Sequence, residues 1–166
     1  MADVIGRLVP ARPDQLLSVA RALARIPENL THKERGKVAD RVRLGIARNF
    51  TREGPEGMKW GVLAMRTRQE RRELGYPGEH PILQRTRELK RSWTERSHPH
   101  NVEEWQETDG LTLHLSSSDP RVPELTLGRD DPYMPARPQH LLGGDDLKGL
   151  HDTIVWALEQ VAARGL

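Results

Sequence analysis

The sequence contains no cysteine, a single phenylalanine and only two tyrosines. Without cysteine there is no disulfide scaffold, no cysteine-ligated zinc and no thiol nucleophile. With so few rings, stacking platforms for single-stranded nucleic acid are scarce. Long apolar runs are missing too: no stretch approaches the roughly 18 residues of a membrane-spanning helix. The opening residues, Met1-Ala2-Asp3-Val4-Ile5-Gly6-Arg7, lack a basic leader followed by an apolar stretch, so no secretory signal is expected. No G-x-S-x-G elbow and no phosphate-binding glycine loop is present.

Apolar residues make up 36% of the 166 positions and charged residues 30%. That is polar for a globular chain, yet enough for one modest core. A single domain over 1–166 is expected, with an N-terminal helix region (1–30) and a core region (31–166). The core region holds a long loop (51–80) and an extended segment (118–143).

The net charge of +2 conceals a division. Residues 33–96 carry 17 basic and nine acidic side chains, whereas residues 97–166 carry five and 12. Twenty-one of the 26 basic residues are arginine, the side chain suited to bidentate pairing with carboxylate or phosphate.

Periodicity predicts four main helices. The first, 14–26, presents Leu16, Leu17, Ala20, Leu23 and Ala24 on one face. The second, 31–50, carries Val38, Val42, Ile46 and Phe50 at four-residue intervals. The third, 81–93, aligns Ile82, Thr86, Leu89 and Trp93. The fourth, 145–163, aligns Leu147, Leu150, Ile154, Leu158 and Val161 behind an acidic first turn. A short helix is expected over 67–74, and Trp60, Val62, Leu63 and Met65 read as an anchor into the core. Val38, Val42, Ile46, Phe50, Leu89, Trp93, Ile154 and Leu158 are expected to be buried together.

Asp109-Gly110 signals a hairpin between strands 101–108 and 111–117. Leu111, Leu113 and Leu115 alternate with polar residues. A two-residue turn would set Trp105 opposite His114, off the leucine face. A three-residue loop with a bulge would set it opposite Leu113, and is preferred because it buries the Trp. A third short strand is expected at 125–127. The fold class is therefore α+β, a small antiparallel sheet with its hairpin packed against about four helices.

Candidate chemistry is thin. His98-Pro99-His100, with Glu103 and Glu104 nearby, offers ligand types without helical i, i+4 spacing, and reads as an exposed loop. Ser116-Ser117-Ser118-Asp119 reads as a polar turn. No catalytic, cofactor-binding or metal residues are expected, and no cofactor. Arg41, Arg43, Arg48 and Arg52 on the second helix, followed by Arg66, Arg68, Arg71 and Arg72, could track a phosphate backbone. They could equally meet the acidic half of a neighbouring subunit.

Several ordered motifs look familiar. Gly54-Pro55-Glu56-Gly57-Met58-Lys59-Trp60 leads to Leu63 and Thr67-Arg68. Then come Pro81-Ile82-Leu83-Gln84-Arg85-Thr86-Arg87-Glu88-Leu89-Lys90-Arg91-Ser92-Trp93, Met134-Pro135-Ala136-Arg137-Pro138 and Asp145-Asp146-Leu147. In order and spacing, over about residues 30–163, the chain resembles the phage virion morphogenesis family of tail-completion or neck proteins. That family usually has glycine where this chain has Arg87, a departure that suits an uninterrupted helix. The aromatic-Ala…His…Gly segment common before P-A-R-P is also missing here.

The resemblance implies a virion component at the head–tail junction, made in the host cytoplasm, with no membrane association. It would form a ring of itself, expected to be six-fold. Its partners would be a head-side connector or stopper and a tail-side terminator or tube protein, with DNA close by in the lumen. The assembly interface is expected to use Arg41, Arg43, Arg48 and Arg52 together with Asp130, Asp131, Tyr133, Pro135, Arg137 and Pro138. The alternative is a nucleic-acid-binding protein using the basic region 31–72.

Overall fold

The computed structural model describes residues 29–79, 81–84, 86–107, 111–122 and 142–164. Among them are four helices and one hairpin, an α+β arrangement: α1 (His32–Arg52), α2 (Met65–Glu73), α3 (Glu88–Thr94), β1 (Asn101–Gln106), β2 (Thr112–Ser117) and α4 (Gly144–Ala163). The expected helix 14–26, the expected strand 125–127 and most of the segment 118–143 lie outside the described residues.

Helix α1 starts where its sequence can satisfy the free N–H groups of a first turn. Thr31 Oγ1 accepts from the Glu34 N–H, and the Glu34 carboxylate accepts from the Thr31 N–H at 2.8 Å, forming a capping box. The helix stops at Glu53, whose φ of 56° is left-handed and whose N–H returns to the Asn49 carbonyl. Gly54 follows at φ 144°, and a Cβ there would overlap the Met58 carbonyl. Only glycine allows the chain to fold back so tightly.

That reversal builds the core. The Trp60 N–H donates to the Glu53 carbonyl at 2.7 Å, and the Ile82 N–H donates to the Glu53 carboxylate at 2.8 Å. Gln84 Nε2 donates to the Phe50 carbonyl at 2.6 Å, and Lys59 Nζ to the Arg52 carbonyl at 2.6 Å. Carbonyls left open at the helix end are thus met by side chains from two loops. Ile46, Phe50, Trp60, Leu63, Ile82, Leu89 and Trp93 form one buried cluster, joined by Val42, Leu83, Leu115, Val122 and Leu142.

The hairpin register pairs Trp105 with Leu113 and Glu103 with Leu115, as the three-residue loop requires. Leu113 and Leu115 are half-buried, while Thr112 and His114 between them are exposed. Trp105 is half-buried rather than buried. Its Nε1 donates to Glu103 Oε1 at 3.1 Å, and the Arg35 guanidinium lies 5.8 Å from its ring centroid.

Three expectations are corrected. The helix expected from residue 81 begins only at Glu88, because Leu83 and Arg87 take left-handed φ values of 58° and 61°. Ile82 reaches the core from a turn instead, and the uninterrupted helix expected through Arg87 does not form. Of the anchor expected at 60–65, Trp60 and Leu63 are buried, but Val62 and Met65 are 76% and 77% exposed. On α4 the buried residues are Asp146, Ala157 and Val161, whereas Leu147 and Ile154 are 53% and 40% exposed and Leu158 is half-buried.

The apolar stripe of α4 is turned aside because α1 comes very close. Gly45 leaves room only for Leu142 and Asp146, and the Arg41 side chain crosses α4 at Gly149. Small residues set that distance, so the larger ones point away.

Two measurements check this architecture. Phe50→Ala should cost about 3–5 kcal/mol in urea unfolding, whereas Ile154→Ala should stay within about 1 kcal/mol. Arg87→Gly should leave stability unchanged or raise it by up to about 1 kcal/mol, because glycine relieves the left-handed backbone. In an uninterrupted helix the same change would destabilise by about 1 kcal/mol, so the sign decides.

Candidate functional site

The arginines of α1 divide between two neighbours. Arg43 is buried, 3% exposed. Its Nη2 donates to Asn101 Oδ1 at 2.9 Å and Glu103 Oε2 at 2.7 Å, and its Nη1 to Asp40 Oδ1 at 3.2 Å. Arg96 joins the same carboxylates, Glu103 and Asp40, each at 3.2 Å, and also reaches the Gly36 carbonyl. Two cations and two anions therefore alternate between α1, β1 and the turn after α3. Burial acts to raise the Glu103 carboxyl, but hydrogen bonds from Arg43 and Trp105 outweigh it, and the net shift is downward.

Arg48 turns to the other side and pairs with Asp146 at 2.6 Å, where Asp146 is 2% exposed in the first turn of α4. The helix N-terminus favours that carboxylate as well. Arg41 is half-buried and donates to the Asp145 carbonyl at 3.5 Å. Glu56, from the loop after α1, accepts from the Asp145 N–H at 3.2 Å and supplies the cap that Gly143 cannot. At the opposite end of the seam, Arg164 pairs with Glu34, with Nη2 to Oε2 at 3.0 Å, and also reaches the Asn29 carbonyl. The Arg164 hydrogen bonds outweigh burial and, with the capping box, hold the Glu34 carboxyl down from 4.5 to about 2.

Of the expected interface arginines, then, Arg43 is enclosed within the chain, and Arg41 and Arg48 face α4. Arg52 is exposed and borders an open cleft of about 420 Å³ lined by Gly54, Pro55 and Lys59. Asp130, Asp131, Tyr133, Pro135, Arg137 and Pro138 lie outside the described residues. Three carboxylates of the acidic half, Glu103, Glu107 and Asp146, thus meet arginines of the basic half inside one subunit, Arg35 pairing with Glu107. The capping box was present in the sequence as T-x-x-E. The third residue joined to it, Arg164, lies 130 positions from Glu34 and carries no local signal.

The histidine loop differs from its expected exposure. His98 is buried, and its Nδ1 accepts the His100 backbone N–H at 3.2 Å. The ring proton therefore sits on Nε2, 3.1 Å from Glu88 Oε2. That contact holds the Glu88 carboxyl below its ordinary value. Among the described residues no group of three or more His, Asp or Glu is arranged to hold a metal ion.

His100 Nδ1 lies 3.2 Å from Ser118 Oγ, but both residues are exposed. The adjoining Asp119 carboxylate is engaged by the backbone N–H and guanidinium of Arg121 instead, which lowers its pKa. A nucleophile needs a base that is itself oriented, and this pair lacks that third group among the described residues.

Solvent-facing apolar side chains form a separate feature. Val62 and Met65 stand beside the arginines of α2, whose one buried residue is Arg71, donating to the Pro81 carbonyl at 3.1 Å. Leu147 and Ile154 form a second exposed set along α4. Comparison with known proteins returns no match at any of three levels: no family model, no curated protein and no solved structure.

Two outcomes follow from these contacts. Arg43→Ala should cost about 1–3 kcal/mol, because it strands Asn101 and Glu103, whereas Arg52→Ala should stay within about 0.5 kcal/mol in the same urea titration. Equal effects would contradict the burial of Arg43. The second outcome concerns acid. The folded state binds the Glu34 proton more weakly than the unfolded chain does. The stability Glu34 contributes is full above pH 4.5 and falls away as pH drops toward about 2. Unfolding followed by circular dichroism over that window should show a shallower pH slope for Glu34→Gln than for the parent chain.

Proposed function

We propose that this chain is a structural virion protein of the phage head–tail junction, a neck or tail-completion subunit. It assembles as a ring between the head connector and the tail, and its role is architectural rather than catalytic. The observation that carries the reading is the backbone at Arg87. The family it resembles usually has glycine at this point of the motif, and Arg87 adopts φ 61°, the conformation for which glycine is the natural residue. The backbone at this departure from the motif is one that the family's usual glycine would suit.

The remaining motif residues support the same reading. Trp60, Leu63, Ile82, Leu89 and Trp93 come from the two segments that carry the resemblance, and they meet in one buried cluster. Motifs that are weak apart are thereby joined by packing. The exposed apolar sets at Val62 and Met65, and at Leu147 and Ile154, are suited to contacts with other subunits.

Nucleic-acid binding through region 31–72 is the second reading. Exposed Lys33, Arg52 and Arg66 favour it, while the internal pairing of Arg43 and Arg48 removes charge from it. A basic surface lining a DNA-filled lumen without base contacts is compatible with the first reading.

Electron cryomicroscopy of the particle that packages this chain tests the proposal. A ring of it at the head–tail junction is expected, and its absence from the particle would overturn the assignment. In a gel-shift series across salt, duplex DNA should be bound weakly and without sequence preference. Tight, sequence-specific binding would transfer the assignment to the second reading.

A further inference from the structure

His98 is a buried titratable side chain with both ring nitrogens engaged. Nδ1 accepts the His100 N–H at 3.2 Å, and Nε2 lies 3.1 Å from Glu88 Oε2. The backbone of the same residue closes the turn between α3 and β1. Its N–H donates to the Glu95 carbonyl at 3.0 Å, and its carbonyl accepts the Asn101 N–H at 2.9 Å. His100 passes the connection to the end of β2. Its carbonyl accepts the Ser118 N–H at 2.9 Å, and its Nδ1 lies 3.2 Å from Ser118 Oγ. A neutral imidazole fits this pattern, because one nitrogen must accept and the other must donate. An imidazolium does not fit, since both its nitrogens donate and the Nδ1–H would face the His100 N–H.

We propose that His98 is a proton-operated latch: neutral, it holds the α3–β1 turn closed through the His100 N–H, and protonated, it releases that N–H and the turn opens. The charged groups around the ring come from each neighbouring segment. On α3 are Glu88 and Arg91, with Arg91 Nη1 on Glu88 Oε1 at 3.1 Å. In the turn are Glu95, bound by Arg91 Nε at 2.9 Å, and His100, its ring centroid 5.7 Å from that of His98. After β2 come Asp119 and the Arg121 that closes on it, whose charge also acts on Glu88. His98 and Arg91 hold the Glu88 carboxyl below its ordinary value, so Glu88 accepts from Nε2–H whether the ring is neutral or charged. The ring is therefore held in place in both states, and the donor–donor clash at Nδ1 is relieved by movement of the turn. The opening stays local, because the hairpin has separate moorings on α3. Ser117 Oγ donates to Ser92 Oγ at 2.7 Å, and Asn101 Nδ2 donates to the Ser92 carbonyl at 3.0 Å. Neither contact contains a group that titrates near neutrality. The latch is independent of the neck reading.

The test follows the full, isotope-labelled chain by NMR from about pH 8 down to about pH 5. Long-range proton–nitrogen correlations should show Nε2 of His98 protonated and Nδ1 bare at the upper end. Solvent exchange of the His100 N–H, corrected for its intrinsic pH dependence, should quicken by on the order of fivefold as His98 gains its second proton. His98→Asn keeps a side-chain oxygen that can accept the N–H two residues on, and it does not titrate. Its corrected exchange should stay slow across the range. His98→Leu has no acceptor, and its exchange should be fast throughout. Far-UV circular dichroism confirms that each variant folds.

Corrected exchange at His100 that ignores pH in the parent chain would overturn the latch. So would a parent-like pH response in His98→Asn, which would assign the effect to His100 or Glu88 instead. Slow exchange in His98→Leu would show that Nδ1 is not what holds the turn. A loss of far-UV signal in the parent over the same range would mean that acid unfolds the chain as a whole, and a local latch would then be excluded.

Discussion

Everything described here hangs on the reversal of the chain around Phe50. It is the only phenylalanine in the sequence and is wholly buried, with the Trp60 ring meeting it edge to face at 5.5 Å. Edge-to-face pairs add roughly 0.5–1.5 kcal/mol beyond the area they bury. The pair forms only because α1 ends in a left-handed Glu53 and the chain turns back at Gly54. Glu53 then holds both returning strands of chain, Trp60 through its carbonyl and Ile82 through its carboxylate. A polar chain with few rings gathers them at one helix end, and α3 and the hairpin pack outward from there.

Away from that cluster, charge does the joining. Arg43 and Arg96 bind the hairpin to α1, Arg48 and Asp146 bind one end of α4, and Glu34 and Arg164 bind the other. Partly buried pairs of this kind are poor sources of net stability against an apolar alternative. Breaking one leaves a desolvated group behind, so they specify which surfaces meet. Along α1 and α4 they fix both register and direction, because opposite charges lie at the two ends of an antiparallel pair.

Much of this was legible locally. The four-residue spacing of Val38, Val42, Ile46 and Phe50 located α1, and the preference for setting Trp105 against the leucine face gave the hairpin register. What was not legible depends on neighbours distant in sequence. Periodicity treated residues 81–93 as one helix, because it sees side chains and not the left-handed backbone at Leu83 and Arg87. Arg41, Arg43, Arg48 and Arg52 looked equivalent on one helix, yet Arg43 meets the hairpin, Arg48 meets α4 and Arg52 meets water. Only the packing of partners 58 to 98 positions away separates them.

The exposed band on α4 is a consequence of that same packing. A strongly apolar stripe would ordinarily face the core. Here the seam with α1 is built from Gly45, Gly149, Asp146 and Ala157, residues small or polar enough for close approach and for the ion pairs at its ends. Rotating α4 to bury Leu147 and Ile154 would carry Asp146 away from Arg48 and Ala157 out of the interface. It would thereby leave the Arg48 guanidinium without its carboxylate, and force bulky side chains against Gly45. The helix therefore keeps its ionic register and leaves its largest side chains outside. An internal constraint, that two helices be clamped by charge at short range, thus leaves Leu147 and Ile154 as an apolar line on the solvent side of α4.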